Sequence, residues 1–272
     1  MRLIRRRLVS LIASERKILG KGLFRSIIGD VQSTSCSRAD ILITAEAQDV
    51  NTGNEAYQRA YHSFTTEFAQ HIRDAINDPH VAGFKSVVCY RTGLDVSYNG
   101  PVGGEVFRSY VTRCIKTGDY KICEKPLNDG LVYATLELLK KASSDATKPI
   151  QFHTGLGDAD INLLRSNPAY LQPLIEQFPT VPFVLLHSSY PYTREAGYLA
   201  TVFKNVHLDI GEVFPMLSRD RQVSVLRQSI ELVPASKILW STDGHLFPET
   251  YWLANKQFRE VLEEVSISVI TS

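Results

Sequence analysis

Cysteine is scarce: Cys36, Cys89, Cys114 and Cys123 are the only four, irregularly spaced and with no C-x-x-C pair. That excludes a zinc ribbon and a disulfide scaffold, and reduced structural thiols in an intracellular protein are expected. No apolar run approaches the ~20 residues that span a bilayer. The formal net charge of +1 gives no global field for nucleic acid or an acidic surface. Phosphate loops, a Ser-His-Asp order and a dinucleotide fingerprint are also missing. The "GLG" at 155–157 lacks the third glycine such a fingerprint needs. There is no sequence repeat and no low-complexity tract.

What is present is ordinary globular composition, 44% hydrophobic and 22% charged, over 272 residues, a length that suits one α/β barrel. Residues 1–38 form a basic, irregular segment in which the first 25 carry eight Lys or Arg and one acid, Glu15. A surface helix is the favoured reading of its start. A mitochondrial presequence is the alternative to a cytoplasmic location. Residues 20–38 read as loop and 39–47 as a strand. Tyr57, Tyr61, Phe64, Phe68, Ile72 and Ile76 recur at helical spacing, predicting a long amphipathic helix over 54–78. A buried strand is predicted over 83–90. Helices follow at 103–119 and 127–145, the second capped by Asn128 or Asp129.

From residue 149 the pattern is regular: strands in "IQFH", "FVLLH", "VHLDI" and "ILWST", each followed by a helical stretch. Alternating strands and helices require a parallel sheet, because parallel neighbours need a crossover. The spacing is that of (β/α) units in a barrel, so residues 39–272 are expected to form one barrel domain. Active sites of such barrels lie at the carboxyl ends of the strands. His153, His187 and Asp243 each terminate an apolar run there. Imidazole and carboxylate ligands suit Zn²⁺ or Mn²⁺. Asp243, oriented by Ser241 and Thr242, is the candidate general base, with His187 as its catalytic neighbour. Tyr90, Arg91, Tyr190, Tyr192, Arg194, Asp209 and Glu212 also follow strands. Of these Tyr90, Arg91, Tyr190, Arg194 and Glu212 are candidates for substrate binding, with the two arginines suited to a carboxylate. Lys85 lies in an otherwise apolar strand and is a weaker candidate, as a carbamylated metal bridge. His207 and His245 are weaker still.

The segments "FHTGLGD", "VLLHSSYPYTREAGYLA", "VHLDIGE" and "STDGHLFPE", with "GFKSVVCYRTGL" and "KPLNDGLV", resemble the amidohydrolase superfamily, specifically the amidohydrolase-2 type. The nearest likeness is to the amidohydrolase-like half of fungal FluG-type and plant nodulin-like proteins, over about residues 54–265. The resemblance implies a distorted TIM-like (β/α) barrel with a divalent metal, Zn²⁺ first. His153, His187 and Asp243 would be the ligands from the fifth, sixth and eighth strands. It implies hydrolysis of C–N bonds of a small molecule. The family's first strand carries an H-x-H pair, and none occurs here: the histidines are His62, His71, His80, His153, His187, His207 and His245. The chain is therefore expected to begin downstream of that strand, with the barrel incomplete at its N-terminus. Two alternatives follow: a non-catalytic regulatory protein on the same fold, and a metal-dependent decarboxylase. The expected partner is a small-molecule substrate, with no nucleic acid and no membrane, and an incomplete barrel has reason to form a homo-oligomer.

Overall fold

The chain folds around one parallel sheet, seen in a computed structural model that describes residues 23–26, 53–100, 102–142, 147–244 and 247–271. Six strands are ordered as they occur in the chain: β1 (Leu23–Ser26), β2 (Val81–Ser86), β3 (Ile150–Phe152), β4 (Phe183–Leu185), β5 (Val206–Asp209) and β6 (Ile238–Leu239). Between them run α1 (Gly53–Asn77), α2 (Gly104–Thr117), α3 (Lys125–Lys141), α4 (Gln172–Gln177), α5 (Thr193–Val202), α6 (Val213–Met216) and α7 (Arg219–Leu232). The last element is α8 (Pro248–Thr271). Strand order following chain order with every pair parallel is the expected α/β architecture.

The register explains the alternation of side chains. Phe84, Ile150, Phe183 and Val206 form one cross-strand row, and Ser86, Phe152, Leu185 and Leu208 a second row two residues on. Both rows lie on one face and are buried, with the Phe152 and Phe183 rings stacked at 5.7 Å. The row between them, on the opposite face, is Lys85, Gln151, Val184 and His207, and all but Val184 are only half-buried. One face is thus a dry core under the helices and the other carries polar groups.

Each long helix buries one stripe. In α1 this is Ala60, Phe64, Phe68, Ile72 and Ile76, packed against α2 and α3. Gly118 at φ 67° ends α2 by donating its N–H to the Cys114 carbonyl. Three residues leading into strands also tie off helices or turns. Lys148 Nζ donates to the carbonyls of Ala75 (2.7 Å) and Asp78 (2.5 Å). Asn205 Nδ2 donates to Phe178 and Val181, and Lys237 Nζ to Ala200 (2.7 Å) and Phe203 (2.6 Å). Carbonyls left over at helix C-termini are satisfied in this way.

Several expectations change. Within 20–38, read as loop, Leu23–Ser26 forms β1 and pairs with β2. The strand predicted over 83–90 ends at Ser86, and Val88–Tyr90 is a 3₁₀ turn. Asn128 and Asp129 do not cap α3. The helix begins earlier, with Pro126 in its first turn, and both side chains are buried within it: Asn128 donates to Thr92 and Ile122, and Asp129 accepts from Ser97 and Lys125. The long helix expected after β3 breaks into two 3₁₀ turns and the short α4. Asn162 and Asn167 accept from backbone N–H groups there, and Pro168 and Pro173 start new turns. The strand expected over 39–47 and the candidate His245 lie outside the described residues. Among the described residues no helix is long and apolar enough to cross a membrane.

Replacing Lys237 with methionine strands two carbonyls at the end of α5. The expected loss is ~1–2 kcal/mol, read as a lower urea midpoint with unchanged slope.

Candidate functional site

The carboxyl ends of β3, β4, β5 and β6 bring His153, His187, Glu212 and Asp243 together. Their backbones are unusual. Among the described residues, the non-glycine residues with positive φ are His187 (64°), Ser188 (51°), Ser189 (49°), Glu212 (60°) and Asp243 (46°). Glu212 is the centre of a γ-turn, Val213 N–H donating to the Gly211 carbonyl at 2.6 Å with φ 60° and ψ −33° at Glu212. Such conformations cost ~1–3 kcal/mol each. All of them fall on three convergent side chains or their immediate neighbours, so the strain is spent on aiming those side chains.

Protons can be placed on the two rings from geometry. His153 Nε2 lies 2.6 Å from the Leu156 carbonyl, which only accepts, so that nitrogen carries the proton. His153 Nδ1 is then a lone pair, and His187 Nε2, 3.0 Å away, donates to it. His187 Nδ1 is left as a lone pair 3.1 Å from Glu212 Oε2 and 3.5 Å from Asp243 Oδ2. A charged ring would relieve that contact, but His187 is held well below the usual histidine range. Burial is the first cause, followed by His153 and the Lys85 ammonium. Burial and then Lys85 push His153 down to about 4. One ligand atom from each of His187, Glu212 and Asp243, all within 4.8 Å of one another, makes a donor set of one imidazole and two carboxylates. That set fits a divalent cation such as Zn²⁺ or Mn²⁺. His153 is not part of the trio, because both of its ring nitrogens are engaged elsewhere.

The glycines of "HTGLGD" follow from this arrangement. A Cβ at Gly157 would lie 2.5 Å from the Tyr90 hydroxyl and 2.8 Å from His153 Nε2, and one at Gly155 would overlap the Ser189 carbonyl group. Asp209 lies beneath the trio, fully buried. Its carboxylate accepts from Gly211 N–H (3.0 Å) and Ser241 Oγ (3.3 Å). Burial, augmented by Asp243, pushes its pKa up to about 6. Ser241 therefore donates to Asp209, not to Asp243 as expected from the sequence, and the Thr242 hydroxyl accepts from Gly244 N–H.

The remaining candidates separate. Tyr90 packs its ring 4.3 Å from that of His153 and accepts from Asp158 N–H. Arg91 pairs with Asp160 at 3.0 Å, on the loop that covers His153. Tyr190 packs half-buried against the core. Arg194 is not at the site: it lies exposed on α5, paired with Glu231 of α7 at 3.4 Å. A position early in the helix after β4 turns its side chain outward. Glu212, expected to contact substrate, joins the trio. Lys85 lies half-buried on the sheet face that carries His153, and after burial its charge contributes to the lowering of both histidines. The Leu156 carbonyl had no signal in the sequence beyond the flanking glycines.

Comparison with known proteins agrees with this architecture. A family model described as amidohydrolase matches residues 124–266. Protein FluG of Emericella nidulans is 58% identical over 219 residues, 79% of this chain and 25% of FluG, so the chain spans about a quarter of that relative's length. Among solved structures, a protein of Lactobacillus casei described as a candidate metal-dependent hydrolase superposes with a TM-score of 0.64 at 30% identity. The match covers 76% of this chain and 55% of that one.

Two predictions follow from the geometry. Replacing Glu212 with glycine frees a strained backbone, so Glu212→Gly is expected to be ~1 kcal/mol more stable than Glu212→Ala in thermal unfolding. His153 is depressed in the folded state, so the folded chain binds fewer protons than the unfolded chain between pH 6.5 and about 4. Its contribution is present above 6.5 and is lost as pH falls through that window. The urea midpoint of the parent should decline more steeply from pH 7 to 5 than that of His153→Gln. The parallel sheet, the strand-end residues and the matched family together place this chain in the amidohydrolase family.

Proposed function

We propose that the chain is a metal-dependent hydrolase of a C–N bond in a small molecule, with His187 Nδ1, Glu212 and Asp243 holding the divalent ion. The observation that supports this best is the trio on strained backbone, one imidazole nitrogen and two carboxylate oxygens within 4.8 Å of one another, a donor set of the kind that binds a divalent cation. A bound Zn²⁺ or Mn²⁺ would supply an acidified water and polarise the carbonyl. The protein's own groups do the rest. His187 presents Nδ1 because His153 and the Leu156 carbonyl fix its tautomer. Asp243 has the most accessible carboxylate of the trio, 39% exposed against 13% for Glu212, and takes the proton of the attacking water. The water oxygen bonds to the carbonyl carbon, the C–N bond breaks, and the nitrogen leaves with the proton from Asp243, giving a carboxylic acid and an amine.

The missing H-x-H favours a second reading, a non-catalytic regulatory protein that keeps the ion. An ion held without hydrolysis of any amide would select it, while carbon dioxide release without ammonia would mark a decarboxylase.

Metal content of the purified chain separates the possible ligand sets. Near-stoichiometric metal is expected in the parent, with at least a tenfold loss of affinity in His187→Ala, Glu212→Gln and Asp243→Asn. His153→Gln should retain binding, weakened ~10–100-fold through the lost tautomer restraint. Full metal in Glu212→Gln together with none in His153→Gln would replace Glu212 by His153 as ligand. A metal-free parent that takes up no Zn²⁺ or Mn²⁺ would overturn the reading.

A further inference from the structure

The first turn of α8 departs from the pattern that the rest of the helix keeps. Ala254, Phe258, Val261 and Val265 recur at helical spacing and are buried, so they form the stripe that faces the core. Tyr251 lies three residues before Ala254 and seven before Phe258, on that same stripe, yet it is 51% exposed. The helix is anchored all the same. Trp240, at the end of β6, stacks on Phe258 at 4.7 Å, and Phe214 of α6 packs on Phe258 edge-on at 5.2 Å. The inward stripe therefore runs past the core and emerges at the carboxyl ends of the strands, where the helix of a (β/α) unit begins.

Close contacts fix where the Tyr251 ring starts. A Cβ at Gly244 would lie 2.9 Å from Tyr251 Cγ, from Tyr251 N and from Thr250 Oγ1, so this turn is pressed against the residue next to Asp243. Asp243 carries the most exposed carboxylate of the trio. Side chains of a helix lean toward its N-terminus, which carries the Tyr251 ring toward the mouth. Thr250 donates its N–H (3.0 Å) and its hydroxyl (2.7 Å) to the Phe247 carbonyl, holding the exposed Phe247 one turn ahead of Tyr251. Trp252 is a different case. It points about 100° further round the helix, and Lys256 Nζ lies 5.2 Å over its ring.

We propose that Tyr251, with Phe247, is an apolar wall of the mouth that takes an aromatic group of the substrate beside the bond to be cleaved. The trio and its ion act on the amide itself, which all amides share, so they do not choose among them. The choice falls to what the rest of the substrate touches, and Tyr251 offers a flat face suited to an offset-stacked ring. The substrate class is then a small amide bearing an aryl group. This class rests on the hydrolase reading above, but the aryl subsite itself needs no metal.

The test follows the Gly244 amide and Tyr251 ring resonances of the purified chain, with N-benzylacetamide as probe and N-methylacetamide as control. Saturable shifts at both residues are expected with the benzyl compound and none with the methyl compound at equal concentration. Y251A should bind about tenfold more weakly, the factor that one stacked and partly covered ring supplies. Y251F should bind as the parent does, and so should W252A, whose ring is on the other side of the helix. Equal binding by Y251A, equal shifts with the methyl compound, no saturable binding by the parent, or a loss in W252A as large as in Y251A would each overturn the proposal. So would self-association of the parent that Y251A abolishes without any probe binding, since the patch would then join two copies of the chain. Metal uptake by the trio is measured separately, so failure of the metal reading and failure of the aryl subsite give different results.

Discussion

One hydrogen bond sets the chemistry of the mouth: the His153 ring donating to the carbonyl of Leu156. A carbonyl has no proton to offer, so the bond fixes which nitrogen of His153 is protonated. It therefore fixes which nitrogen of His187 is, and that leaves a bare lone pair among two carboxylates. The loop that supplies the carbonyl can approach only because residues 155 and 157 have no side chains, the second lying against Tyr90 and His153 themselves. Packing of a glycine loop over a ring is in this way converted into the protonation state of a second ring, and from there into affinity for a cation.

The sheet beneath works by contrast between its faces. Its helix-covered face is apolar apart from Ser86, and the aromatic and branched rows there resist movement because a close-packed interior has no alternative arrangement of similar energy. The opposite face holds Lys85, Gln151, His207 and Asp209. That rigid backing lets residues 187–189, 212 and 243 remain in backbone conformations that isolated peptides avoid. The strain is local, and the restraint that opposes it is spread over the whole core.

Much of this was legible in the sequence. Val184, Leu185 and Leu186 before His187, or Ile150 and Phe152 before His153, are apolar runs too short for helices. Their recurrence between helical stretches identified the parallel sheet and the strand-end residues. Periodicity does not report side-chain partners, and the errors lie there. Asn128 and Asp129 resemble helix caps by type, yet both are buried and bond to neighbouring segments, Asn128 as a donor and Asp129 as an acceptor. Arg194 follows His187 closely in the chain, but the start of α5 rotates it to the exterior. Glu212 could be named as a strand-end acid, but its place beside His187 depends on a γ-turn that sequence alone does not announce. Asp243 and Ser241 are neighbours by number, whereas Ser241 belongs to Asp209 in space.

The lysines that lead into β3 and β6 have a further kinetic meaning. Lys148 joins the end of α1 to the start of β3 across more than seventy residues, and Lys237 joins α5 to β6 across more than thirty. Neither clasp can close until the intervening units have docked, so each adds little to the speed of assembly. Once closed, each must break before its helix can leave the sheet. Such late-forming contacts act on the unfolding rate, and they lengthen the lifetime of the assembled mouth more than they hasten its formation.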